Sequence, residues 1–294
     1  RYYAHMSQGR VQDISQGIVQ HRVKGKLWYS ATLLLAFQML LVVTGGLVRV
    51  TGSGLGCPTW PKCTKDSYVP DESQSHIHVW IEFGNRMLTF ALFAAAFTTL
   101  YLAWKRKDLR LLAALQVIGI LGQGVLGGIT VLTKLNPIPV AGHLLLSMVL
   151  IAAATNLQFK VLEYRELADS AIGKILATSA FLTLIAGTIV TGSGPHAGDW
   201  QAPRFDFNIE IAARIHSSLV AITLIIAIFI AIKWPRREAN WLLVAIMVQA
   251  LIGFIQWWLG LPQVLVGMHL LGAALFWFAA WRTRLSFRYQ RITQ

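Results

Sequence analysis

The sequence predicts an all-α polytopic membrane protein whose eight transmembrane helices form two tandem four-helix bundles related by a pseudo-two-fold axis. Its composition is 55% hydrophobic and only 13% charged, and its mean hydropathy is +0.55. Apolar runs of about 20 residues, the length that crosses a bilayer, recur along the chain. Because backbone polar groups find no water in hydrocarbon, each run is expected to be helical.

Short polar turns separate the apolar runs, so consecutive helices are expected to be antiparallel neighbours. In chain order the predicted spans cover residues 27–49, 78–103, 111–132, 138–159, 172–191, 209–232, 240–260 and 263–281.

The net charge is +13, and most Lys and Arg residues lie in the N-terminal arm, the C-terminal tail and alternate loops. By the positive-inside rule this side is cytoplasmic, which predicts that both termini are inside. The charge therefore indicates contact with anionic membrane lipid and argues against a nucleic-acid-binding module. The polar, basic arm runs directly into a full-length span, so no cleaved signal peptide is expected. We predict a bacterial-type plasma membrane location, with the mitochondrial inner membrane as the alternative.

The chain is predicted to contain two equivalent halves. The tetrapeptide Thr-Gly-Ser-Gly ends spans one and five, at residues 51–54 and 191–194, and Gln, Gly and His recur at one spacing as residues 123, 127, 143 and 249, 253, 269. Each half holds an even number of spans, so both insert in the same orientation around an axis along the membrane normal. The predicted parts are the cytoplasmic arm 1–26, the N-terminal half 27–160, the cytoplasmic linker 161–171, the C-terminal half 172–283 and the cytoplasmic tail 284–294.

Polar residues form a layer near the outer ends of the even-numbered spans. His143, His216 and His269 lie on spans four, six and eight, and Asn85 occupies the place of His216 in the first half. Helix rise puts them roughly 6–11 Å below the outer surface. A buried histidine pair on facing helices is typical of a heme site, whereas interhelical hydrogen bonds are the alternative. Zinc is disfavoured because the inner half offers no third or fourth Cys, His or carboxylate ligand with suitable spacing.

Glu82, Asn85 and Arg86 share one face of span two, because they are spaced i, i+3 and i+4. The carboxylate is either a structural partner for Arg86 or a group beside a reacting ligand, where it could move a proton or position the ligand.

Cys57 and Cys63 lie in the first outer loop. An oxidising exterior favours a disulfide between them, with free thiols or a metal pair as alternatives.

Residues 51–63, Thr-Gly-Ser-Gly-Leu-Gly-Cys-Pro-Thr-Trp-Pro-Lys-Cys, together with Trp-Ile-Glu-Phe-Gly-Asn-Arg at 80–86, resemble the heme A synthase family. The resemblance implies successive hydroxylations that oxidise a methyl group of heme O to the formyl group of heme A, with a bound heme b. It also implies axial ligation of heme b iron by His216 and His269, and of the substrate heme iron by His143. Glu82 would be the essential acidic residue in the substrate site, beside Asn85 and Arg86.

One position departs from the common family pattern. Asn85 stands where many members have a histidine three residues after the Glu, and an amide ligates iron poorly beside imidazole. This substitution leaves His143 as the single predicted axial ligand of the substrate heme.

The resemblance further implies a heme O synthase and an electron donor as partners, and a homo-oligomer is a further candidate assembly. Two other functions remain open on the residues alone. A diheme electron carrier of the membrane cytochrome b type would use the same histidines, although four would be expected at this depth. A heme transport or handover protein would bind heme without needing Glu82.

Overall fold

The computed structural model describes residues 2–70, 77–162, 165–168 and 170–290. Within them lie eight helices long and apolar enough to cross a membrane, as predicted. The helices are α1 (Tyr2–Val50), α2 (Ile77–Ala103), α3 (Lys107–Leu132), α4 (Pro137–Val161), α5 (Ala171–Ser193), α6 (Ile209–Lys233), α7 (Arg237–Trp258) and α8 (Gln263–Arg288).

Side-chain caps determine where two of the histidine-bearing helices begin. The Asn136 side chain accepts a hydrogen bond from the Ile138 amide at the start of α4, and Asn208 accepts from two amides at the start of α6. Such caps satisfy amides that have no partner in the first helical turn. They fix His143 and His216 about two turns inside their helices, which is the depth predicted from the sequence.

The two halves pack through α1 and α4 of the first and α5 and α8 of the second. One buried apolar cluster contains Met148 of α4, Leu176 of α5 and Trp277 of α8. The Trp277 indole Nε1 donates a hydrogen bond to the Met148 carbonyl at 2.7 Å. The halves therefore share a core, while the pseudo-two-fold axis and the orientation of the termini stay predictions.

The structure differs from the sequence prediction mainly in the N-terminal arm, the linker and the C-terminal tail. Helix α1 begins at Tyr2, so the predicted arm 1–26 continues the first span as helix, and α8 continues to Arg288, beyond the predicted span end. Two short strands, β1 (Arg165–Glu166) and β2 (Tyr289–Gln290), pair antiparallel. The linker and the tail thus meet, which an all-α prediction missed because two-residue strands carry no periodicity.

Candidate functional site

His216 on α6 and His269 on α8 face each other in the C-terminal half. Their ring centroids are 6.4 Å apart with an interplanar angle of 78°. A metal–imidazole bond is about 2 Å long, so two imidazoles on opposite sides of one metal have centroids roughly 6 Å apart. The pair therefore fits a single six-coordinate heme iron held between the two helices.

Contacts with neighbouring helices position both rings. Nδ1 of His216 lies 3.0 Å from the Thr183 carbonyl, which can only accept, so Nδ1 carries the proton and Nε2 is free to bind metal. A Cβ added at Gly187 would lie 3.2 Å from Cε1 of His216, and one at Gly253 would lie 3.2 Å from Cε1 of His269. Glycine at both positions allows the imidazoles to pack against neighbouring helices.

His143 in the N-terminal half has the same local contacts as His269. A Cβ at Gly127 would lie 3.3 Å from Cε1 of His143. The Gln123 amide donates to the His143 carbonyl at 3.0 Å, and the Gln249 amide donates to the His269 carbonyl at 2.9 Å. Nδ1 of both histidines is buried and has no hydrogen-bond partner among the described residues. Corresponding positions of the duplicated sequence thus form the same contacts.

Asn85 has no imidazole, so it gives the N-terminal half no second histidine ligand. Its side-chain oxygen instead forms a hydrogen bond with α1. Its Oδ1 accepts a hydrogen bond from Thr44 Oγ1 of α1 at 2.6 Å. This contact ties α2 to α1 at the level of the histidine layer. Among the described residues of the predicted histidine layer, the N-terminal half therefore offers His143 as an iron ligand, whereas the C-terminal half offers His216 and His269.

Glu82 and Arg86 together bind the backbone of the first outer loop. Glu82 Oε1 accepts from Arg86 Nη2 at 2.6 Å, and Oε2 accepts from the Cys57 amide at 2.7 Å. The Arg86 guanidinium in turn donates to the carbonyls of Cys57 at 2.9 Å, Thr59 at 3.3 Å and Lys62 at 3.4 Å. The ion pair on α2 is therefore a clamp that holds the loop against the membrane domain.

The clamped loop is closed by a disulfide between Cys57 and Cys63, which confirms the predicted pairing. Both cysteines are fully buried and pack against Val79 and Phe83 of α2. Among the described residues no group of three or more His, Cys, Asp or Glu side chains could hold a metal ion. Of the alternatives for the cysteines, the covalent bond is therefore the one that the structure contains.

Trp60, at the tip of the disulfide loop, packs directly on α3. A Cβ built at Gly128 would collide with the Trp60 indole, so the ring occupies the space that a side chain at this position would take. The preceding residue, Gly127, lies against the His143 imidazole. Helix α3 therefore contacts the His143 ring and the disulfide loop through two consecutive residues. The contact between Trp60 and α3 was not predicted from the sequence, although an aromatic residue inside a short cysteine loop was an available signal.

Gly128→Ala is expected to displace the loop, because the added methyl group overlaps the Trp60 ring. Overpacking of this kind typically costs about 1–3 kcal/mol, and the loosened disulfide should be reduced faster by a mild reductant, measured by maleimide labelling. The matched control on the same helix is Gly122→Ala, where nothing lies within 4 Å of the added Cβ. Equal labelling rates in the two variants would show that Trp60 does not depend on Gly128.

Comparisons with known proteins agree with this geometry. A protein named heme A synthase from Shewanella oneidensis is 27% identical, over 85% of this chain and 93% of its own length. One from Geobacillus thermodenitrificans is 24% identical over 54% of this chain and 50% of its own length. A third, from Lysinibacillus sphaericus, is 31% identical over 38% of this chain and 37% of its own length.

A family model described as cytochrome oxidase assembly protein matches residues 26–197. This range contains the first four spans, the disulfide loop, the Glu82–Arg86 pair and His143. Since the match extends over more than half of the sequence, the chain belongs to the COX15-CtaA family of cytochrome oxidase assembly proteins.

Proposed function

We propose that this chain is a heme A synthase, an oxidoreductase of the bacterial cell membrane that oxidises a methyl group of heme O to a formyl group. The similarity to proteins named heme A synthase supports this function. The observation that carries it is the difference between the halves. One half has paired imidazoles 6.4 Å apart. In the other, His143 packs on Gly127 of α3, and the clamped disulfide loop packs on the next residue, Gly128.

In the C-terminal half, His216 and His269 are proposed to hold a heme b by its iron. Bound there, heme b supplies one-electron transfer to and from the reacting half. The carbonyl of Thr183 holds the proton on Nδ1 of His216, so Nε2 would be the atom available to bind iron. Gly187 and Gly253 have no side chains, which leaves space for the two imidazole rings to pack against α5 and α7.

In the N-terminal half, His143 is proposed to hold the substrate, heme O, and Asn85 to leave the opposite face without an imidazole. Glu82 is proposed to act beside the substrate chiefly through the loop: both of its oxygens accept hydrogen bonds, from Arg86 and from the Cys57 amide. Acceptance by both oxygens suits an ionised carboxylate. The loop then excludes water from the reacting methyl group, which protects an oxidation from side reactions.

The test of the proposed function is the identity of the hemes in the purified protein. Extraction in acidic solvent followed by chromatography with mass detection should give heme b together with heme O, a hydroxylated intermediate or heme A. Two heme b molecules per chain and no heme O derivative would instead support a diheme electron carrier. Heme O bound but never converted, in membranes that supply reductant and oxygen, would support heme handover.

Asn85→His is expected to convert the substrate half from one axial imidazole to two. Because the new side chain would stand at the position equivalent to His216, the substrate heme should change from a high-spin to a low-spin optical and electron paramagnetic resonance spectrum. Asn85→Ala serves as the matched control, since it removes the Thr44 contact without adding a ligand. An unchanged spectrum in Asn85→His would mean that residue 85 does not face the substrate iron.

We also propose partners for this protein. A heme O synthase would supply the substrate, and a membrane electron donor would reduce the bound heme b. Membrane lipid surrounds the eight spans, and assembly into a homo-oligomer can be tested by the mass of the purified complex.

A further inference from the structure

Arg49, at the outer end of α1, reaches from the N-terminal half into the C-terminal half. Its Nε donates to the His196 carbonyl at 2.8 Å, and its Nη2 donates to the Thr191 carbonyl at 2.8 Å. Both acceptors are neutral and belong to α5 and the loop after it. The repeat offers no counterpart for this contact, because the position equivalent to Arg49 in the second half is Ile189.

A second arginine lies close to the first. Arg204 and Arg49 are near enough for their charges to repel, and Arg204 Nη2 donates to the Pro195 carbonyl at 2.8 Å. In the part of the chain that the structure describes, neither arginine has a carboxylate partner; the ion pairs there are Glu82–Arg86 and Arg106–Asp108. Both arginines are half-buried, and these hydrogen bonds go to neutral carbonyls, so an anionic ligand would balance the charge of the pair and accept charge-assisted hydrogen bonds from it.

The position of Arg49 relative to the His216 ring indicates which anion the two arginines bind. Thr191, which binds Arg49, lies one helical turn beyond Gly187, the residue against which the His216 ring packs. Thr191 and Gly187 are both on α5. The contact between Arg49 and Thr191 therefore lies about 6 Å farther toward the outer surface than the contact between Gly187 and the His216 ring.

Helix α8, which carries His269, is also near Arg49. The next residue, Val50, packs at Gly267 of α8, where a Cβ would lie 3.9 Å from Cγ2 of Val50. Gly267 is two residues before His269. Arg49 therefore lies beside α5, which packs against the His216 ring, and close to α8, which carries His269.

We propose that Arg49, assisted by Arg204, binds the propionate groups of the heme held between His216 and His269. This inference rests on the proposed heme b site. The two propionates are the anionic groups of a heme, and a guanidinium donates strong, charge-assisted hydrogen bonds to carboxylates. A residue of the substrate half thereby completes the cofactor site of the other half.

Arg49→Gln tests this assignment in the purified, heme-loaded protein. Loss of a positive charge beside the propionates destabilises the reduced heme, so the midpoint potential of heme b should shift downward. The propionate bending mode in the resonance Raman spectrum should also shift, because its hydrogen bond is lost. Arg49→Lys keeps the charge but not the planar donor set, so it should retain most of the potential and still alter the Raman mode. Lys134→Gln, an exposed cation in the α3–α4 turn, is the control and should change neither.

Arg204→Gln provides a second variant if Arg49→Gln does not accumulate, and we expect a smaller shift in the same direction. Wild-type potentials and wild-type propionate modes in variants that retain heme b would overturn the assignment. Failure of the proposed function would be distinguishable, since the wild-type protein itself would then lack heme b or fail to convert heme O.

Discussion

His216→Ala is expected to remove heme b from the purified protein and to abolish heme A formation. An axial imidazole binds iron directly, and even the groups that only support a metal ligand contribute about 10–100-fold to metal affinity. We therefore expect heme b per chain to fall at least about tenfold, together with loss of the low-spin spectrum of a bis-imidazole iron. The measurements are heme b per chain after acidic extraction and the optical spectrum of the reduced protein.

The control for this variant is His78→Ala, which removes an exposed imidazole at the outer end of α2, hydrogen-bonded to Ser53 at 2.9 Å. It should leave heme b content unchanged. Gly253→Ala gives an intermediate case, because a Cβ there lies 3.2 Å from Cε1 of His269 and should lower occupancy without removing a ligand. Full heme b occupancy with a low-spin spectrum in His216→Ala would contradict the proposed ligation.

Glu82→Ala is expected to abolish conversion of heme O while leaving heme b in place. The Glu82 side chain is 6% exposed and its partner Arg86 is 20% exposed. Removal of one member of a buried pair typically costs about 3–5 kcal/mol, because the remaining charge loses its partner. The Cys57 amide loses its acceptor as well, so the disulfide loop should detach from α2. The measurements are heme A formed in membranes, heme b per chain and the thermal midpoint.

A surface pair provides the comparison for this variant. Arg106 and Asp108 form an exposed ion pair at 2.9 Å, and such pairs contribute about 0–1 kcal/mol. Asp108→Ala should therefore leave both stability and conversion close to wild type. If Glu82→Ala bound heme and converted heme O normally, the clamp would be irrelevant to chemistry, and a heme handover protein would become the better interpretation.

The spans and the depth of the polar layer could be predicted from the sequence because the thickness of the bilayer sets the length of each span. Hydrocarbon thickness requires about 20 apolar residues per span, and polar groups within it are costly enough to stand out. Counting from the ends of the apolar runs was sufficient to assign His143, His216 and His269 to one level. The disulfide could be anticipated as well, since Cys57 and Cys63 are close in sequence and lie on the side assigned to the exterior.

Lateral neighbours could not be predicted in this way, because they depend on how each helix is rotated and packed against the others. The sequence by itself determined the fold class, the eight spans, the duplicated motifs and the depth of the histidines. Only the tertiary structure decided that His216 and His269 face each other at 6.4 Å, that Trp60 packs on Gly128, and that Arg49 crosses into the other half. Depth follows from spacing along one chain segment, whereas facing pairs arise from the packing of segments far apart in the sequence.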